Sequence, residues 1–102
     1  MSETLRIADQ LGTDLSSRHR AAELRASLVE IVEAQGRRCE IDFAGVRSVS
    51  HSFADELFAV LVVERGESWF QANLKVINLE PWVRQTILEA IRVRCEELCL
   101  PA

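Results

Sequence analysis

Three features of the sequence predict an α/β domain: a single layer of mixed, largely parallel sheet packed by helices, with strand and helix alternating three times. Apolar residues alternate with polar ones in short stretches at the start of the chain, in "RRCEIDF" and in "NLKVINL". Between and after these stretches apolar residues recur at three- and four-residue steps, the period of a helix. Turn and cap formers mark the boundaries, without internal repeats or low-complexity linkers. Such alternation favours parallel strands joined by right-handed crossovers.

Leu5 and Ile7 mark the first strand, and "DQLGTDLSS" supplies the residues of a turn. From Ser17 the period becomes helical. Ala21, Leu24, Leu28, Ile31 and Gln35 share a face, Val32 widens it, and Gly36 suits the left-handed exit. Cys39, Ile41 and Phe43 then alternate as a second strand, and "AGVRSVS" reads as a turn or short extended link.

Phe53, Leu57, Val60, Leu61 and Glu64 lie along the second helix, whose "LFAVLVV" run requires burial on most sides. Ser52 is the expected N-cap, with Asp55 returning a bond as in a capping box. Gly66 stops this helix, and Trp69 and Phe70 fall in a polar link. Asn73 to Leu79 reads as the third strand, with Leu74 and Val76 on one face. Pro81 opens the last helix where its missing N–H costs least, and Val83, Ile87, Leu88 and Ile91 form the buried side.

At 102 residues the chain suits one domain, residues 1–102, with one core. Hydrophobic residues at 48% and charged ones at 27% fit a soluble globular protein. A net charge of −4 argues against nucleic-acid binding, and no apolar run approaches the ~20 residues that span a bilayer. The N-terminus carries no basic and apolar leader, so Cys39, Cys95 and Cys99 are expected as reduced thiols in a cytoplasmic protein. Cys95 and Cys99 are one helical turn apart but offer half the ligands of a structural zinc site. No Gly-rich phosphate loop or dinucleotide fingerprint is present, so neither metal nor cofactor is expected.

Parallel strands place the starts of all three helices on one rim, where open α/β folds tend to bind ligands. Ser16, Ser17 and Arg18 would share that rim with Ser50, His51, Ser52, Asn78 and Glu80. Arg18, His19 and Arg20 are cations at the end of a helix where positive charge is disfavoured. For Arg18 this points to an acidic counterpart: Asp55, Glu56, a phosphoryl group or a partner's surface. Ser50, His51 and Asp55 have the residue types of a nucleophile, base and orienter, although such triads are normally assembled from separate segments. Trp69, Phe70 and Trp82 either cover the core edge or anchor a partner.

"EIDFAGVRSVSHSFADELF" and "LSSRHRAAELR" together resemble the bacterial and archaeal STAS-like family of unknown function, related to the anti-sigma-factor antagonists. The resemblance spans most of residues 11 to 80, and "SFADEL" is its most specific part. It implies a cytoplasmic signalling module that binds an ATPase-fold kinase and releases it when a serine at the start of the second helix is phosphorylated. The antagonists' Asp-Ser-Ser-Gly motif falls on Ser50, His51, Ser52 and Phe53. His51 thus stands at the phosphoryl-acceptor position, Ser50 replaces the Asp, Phe53 replaces the Gly, and Ser52 alone is retained in kind.

The expectation is a non-enzymatic regulatory module with a protein partner. Its rim comprises Ser17, Arg18, Ser50, His51, Ser52, Asp55 and Glu56, and Ser52 or Ser50 is the candidate phosphoacceptor. The alternatives are a small enzyme using His51 with Ser50 or Ser52, and an obligate subunit of a complex. Pairing of an edge strand leaves homo-oligomerisation open.

Overall fold

The order in which the parallel strands pair decides where the helices can lie. The computed structural model describes residues 2–98. The chain runs through β1 (Ser2–Arg6), α1 (Ile7–Leu11), β2 (Asp14–Leu15) and α2 (Arg18–Val29, widening into a π segment at Glu30–Ala34). β3 (Arg38–Asp42) and β4 (Ser48–Val49) precede α3, which is helical over His51–Ala54, widens at Asp55–Ala59 and resumes over Val60–Arg65. Then come α4 (Glu67–Asn73), β5 (Leu74–Ile77) and α5 (Pro81–Glu97).

β1, β3 and β5 form one parallel sheet in that spatial order, with Leu5 beside Ile41 and Ile41 beside Val76. Because the order never reverses, right-handed crossovers carry successive helices to the same face. The burial pattern agrees: Cys39, Ile41 and Phe43 are buried, whereas Arg38 is exposed and Glu40 and Asp42 are half-buried on the opposite face. An order without reversal also lacks the topological switch point at which open α/β sheets form their ligand crevice. The rim expected from the strand direction is present, but this sheet does not split to make a cleft there.

A second ladder was not apparent from the sequence. β2 and β4 pair in parallel, Asp14 with Ser48 and Leu15 with Val49, the first inside a stretch that reads as a turn and the second inside one that reads as a turn or short extended link. Two residues are too few for alternation to register, and the ladder is fixed by tertiary burial of Leu15 and Val49. Ile7 likewise begins α1 rather than ending β1, and its side chain is fully buried.

α3 is the central helix. Phe53, Ala54, Asp55, Leu57, Phe58, Ala59 and Leu61 are all buried, as the unbroken apolar run required. Phe58 packs between Phe43 and Phe70, with ring centroids 6.0 Å apart in both pairs. Phe70 reaches it because "ESWFQAN" is helix α4 rather than a polar link, which brings half-buried Trp69 and Phe70 against the core. Gly66, at φ 92°, allows the abrupt change of direction between α3 and α4. On α5 the buried stripe is Val83, Ile87 and Ala90, and Leu88 lies off that phase and is exposed. Among the described residues no helix is long and apolar enough to cross a membrane.

Candidate functional site

The short β2–β4 ladder leads directly into α2 and α3 and sets their first turns side by side. Ser17 caps α2, its Oγ accepting from the Arg20 N–H at 3.1 Å. Ser50 caps α3, its Oγ accepting from the Phe53 N–H at 3.0 Å and donating to the Ser16 carbonyl at 3.4 Å. The Ser50 N–H extends the ladder by donating to the Leu15 carbonyl at 2.8 Å. Asp14 braces the same corner, accepting from Ser48 Oγ at 2.7 Å and from Arg47 at 3.2 Å. The bonds from Ser48, Thr13 and Arg47 hold its carboxyl below the usual range.

Ser50, rather than Ser52, is therefore the cap. β4 ends at Val49 and His51 is already helical, so burial of Phe53 in the first turn places its N–H over Ser50. Ser52 occupies the second helical position and is exposed. Asp55 lies beyond reach of a capping box and has a different task.

Asp55 is 7% exposed and, among the described residues, is the buried charged residue of the core. Arg94 of α5 grips both its oxygens, Nε to Oδ1 at 2.7 Å and Nη2 to Oδ2 at 2.6 Å. Arg18 of α2 adds a bond from Nη1 to Oδ2 at 2.9 Å and also donates to Glu56 Oε1 at 2.8 Å. Arg25 completes the chain at Glu56 Oε2, 2.6 Å away, and bonds the Glu56 carbonyl as well. Three guanidiniums and two carboxylates thus join α2, α3 and α5. The Arg94 bonds are the main cause that holds the Asp55 carboxyl at about 2 against an ordinary 3.8, opposed by burial and helped by Arg18. Arg25, then Arg18, lower Glu56. No buried side-chain polar atom among the described residues lacks a partner.

Of the residues expected at the rim, Arg18, Asp55 and Glu56 are bound to one another, and Ser17 and Ser50 are neighbouring caps. Ser52 is exposed, and no side-chain hydrogen bond among the described residues involves it or His51. His51 lines a groove with Val49, Gln85, Thr86 and Glu89, and Asp55 is bonded to Arg94 and Arg18 rather than to His51. Asn78, at φ 59°, donates to Asp42 Oδ1 at 3.0 Å. Cys39 is buried, and burial, then Glu3 and Glu40, push its thiol up to about 11. Cys95 is half-buried, and Cys99 lies outside the described residues.

Arg94 and Arg25 were missed from sequence. Arg94 did leave a signal, since it takes the next place on the buried stripe of Val83, Ile87 and Ala90. A cation on an apolar stripe needs a buried anion. Asp55 on an otherwise apolar buried helix is the reciprocal signal.

Two outcomes follow from this geometry. Ser50→Ala is expected to lower unfolding free energy by ~1 kcal/mol, and Ser52→Ala to change it by less than ~0.5 kcal/mol, both read by urea denaturation. Equal losses would put the cap back at Ser52. Because its folded pKa is depressed, Asp55 stabilises the fold above its unfolded value of 3.8, and this contribution is lost as pH falls toward 2. The contribution is about 2 kcal/mol. Asp55→Asn should be less stable by that amount at pH 7 and lose less stability than the parent between pH 4 and pH 2. Parallel stability-against-pH curves would contradict this.

Residues 20–84 match the family described as STAS-like domain of unknown function (DUF4325). No curated protein and no solved structure shows significant similarity to the chain. The match takes in β3, β4, α3, α4 and β5, and it leaves Arg18 and Arg94 outside at either end. With more than half of its 102 residues matched, the chain belongs to the family of STAS-like domains of unknown function.

Proposed function

We propose that this STAS-like domain is a non-enzymatic regulatory module. Its rim at the starts of α2 and α3 binds a protein partner, an ATPase-fold kinase of the anti-sigma-factor type, by partner switching. The observation that carries this reading is the division of labour at the rim. Ser17, Ser50, Arg18, Asp55 and Glu56 are committed to capping or to ion pairs, whereas Ser52 and His51 are exposed on a braced surface. A braced patch flanked by open grooves, rather than by an enclosed cavity, suits contact with another macromolecule better than enclosure of a small substrate.

The same bonds weigh against the enzyme alternative. A nucleophilic Ser50 would have to give up its cap, and Asp55 is held by two guanidiniums rather than directed at His51.

The chemistry of a switch at Ser52 follows from helical spacing. Asp55 and Glu56 are three and four residues further on, on the face of α3 that Ser52 shares. A phosphoryl group at Ser52 would repel both carboxylates and attract Arg18, which is 47% exposed at its side chain. Its charge would redistribute Arg18 within the rim and leave the core packing intact.

The test is affinity capture from a lysate of the source organism, with bound proteins identified by mass spectrometry. The tagged parent is compared with Ser52→Glu, His51→Ala and Lys75→Ala, the last an exposed residue on the sheet. An ATPase-fold kinase should be retained by the parent and Lys75→Ala and depleted about tenfold by Ser52→Glu. Equal recovery with every variant, or no kinase at all, would overturn the reading. A turnover abolished by His51→Ala would replace it with the enzyme alternative.

A further inference from the structure

β5 ends the main sheet, and among the described residues no strand pairs with its outer side. The Phe43 N–H donates to the Ile77 carbonyl at 2.9 Å, so the peptide groups of Ile77 face β3. Successive residues of a strand turn their N–H and C=O groups to opposite sides. Lys75 therefore also faces β3, and Val76 faces the open edge with the Leu74 carbonyl before it and the Asn78 N–H after it. The Leu74 N–H is already used, donating to the Phe70 carbonyl. Along the chain the edge reads acceptor, donor, acceptor, donor. Turned end for end it reads donor, acceptor, donor, acceptor, which is its own complement.

We infer that β5 is the seam of a homodimer, in which two copies of this chain join antiparallel about a twofold axis at Val76 and continue their sheets into one. Val76 exchanges both backbone bonds with Val76 of the second copy, and the Asn78 N–H donates to the Leu74 carbonyl of the second copy.

The side chains agree with that register. On the helix-covered face Val76, half-buried in the single chain, meets its own copy as a β-branched pair. On the open face Lys75 falls opposite Ile77 of the second copy, which pairs in turn with Asp42. Lys75 is exposed and makes no ion pair among the described residues. Its neighbour Glu40 accepts instead from Thr4 of β1 at 3.5 Å. Asp42 receives the Ala44 N–H and the Asn78 amide on Oδ1, at 2.8 and 3.0 Å, which leaves Oδ2 for an ammonium. Lys75 and Asp42 of the second copy are two strand spacings apart, ~10 Å, a distance that the two side chains span together. The lysine stem then covers half-buried Ile77. The opposite edge is less suited, because the same symmetry about Thr4 of β1 would set charged Glu3 against Leu5. The seam uses none of Arg18, His51 or Ser52, so it stands apart from the proposed partner binding.

The test is sedimentation equilibrium of the parent chain up to about 1 mM, together with NMR on a mixture of ¹³C-labelled and unlabelled chain. Lys75 and Ile77 of the second copy form a non-hydrogen-bonded pair, with Cα atoms ~4.5 Å apart. An intermolecular NOE between their Hα protons is expected. Lys75→Asp sets carboxylates against each other and should raise the Kd of the dimer about tenfold. Val76→Pro removes the N–H at the axis and should abolish the dimer. Should that variant fail to fold, Lys75→Asp and the NOE carry the test. A chain that is monomeric at about 1 mM would overturn the inference. A dimer without the NOE, or one whose Kd is unchanged by Lys75→Asp, would do the same.

Discussion

Burying the Asp55 carboxylate costs several kcal/mol unless positive charge is returned to it, and the fold returns that charge from both sides. Arg94 approaches from α5 as a bidentate fork, and Arg18 approaches from the first turn of α2. Neither bond forms unless both helices lie correctly against α3. Hydrophobic packing alone would tolerate small slides of one helix over another, because apolar contact is weakly directional. Three charge-assisted bonds to one carboxylate are far less tolerant of misplacement. Glu56 and Arg25 extend the same constraint along α2.

This constraint shapes the rim as well. Arg18 is the first helical residue after the Ser17 cap, and Asp55 lies one turn below the Ser50 cap, so the clamp and the caps fix the same two helix starts. The β2–β4 ladder fixes the chain just before them. Since the main sheet is ordered β1-β3-β5 without reversal, no switch-point crevice opens along its carboxyl edge. The proposed protein-binding role uses what such a surface offers: exposed, positioned side chains with a rigid support beneath them.

Much of this was legible in the sequence. Helical periodicity located α2, α3 and α5, strand alternation located β3 and β5, and misplaced charge at Arg18 pointed to an acidic counterpart, with Asp55 and Glu56 among the candidates beside a phosphoryl group or a partner's surface. The losses have separate causes. β2 and β4 are two residues each, below the length at which alternation carries a signal, and they exist because Leu15 and Val49 are buried. The cap was misplaced by two residues because Ser50 and Ser52 are both good cap formers, and the choice depends on where β4 ends. Arg94 is in phase with the buried stripe of Val83, Ile87 and Ala90, but a period defined by apolar residues alone does not register a cation. A charged residue in phase with that stripe carried the missing information.

The most direct test of the clamp is a double-mutant cycle on urea unfolding free energies, built from Asp55→Asn, Arg94→Met and Arg18→Met. If Asp55 is the joint at which α2, α3 and α5 meet, its coupling to Arg94 should fall in the range of about 1–3 kcal/mol, with a smaller but measurable coupling to the more exposed Arg18. Couplings within ~0.5 kcal/mol of zero for both pairs would mean that apolar packing alone positions the helices, and that the ion network merely decorates them.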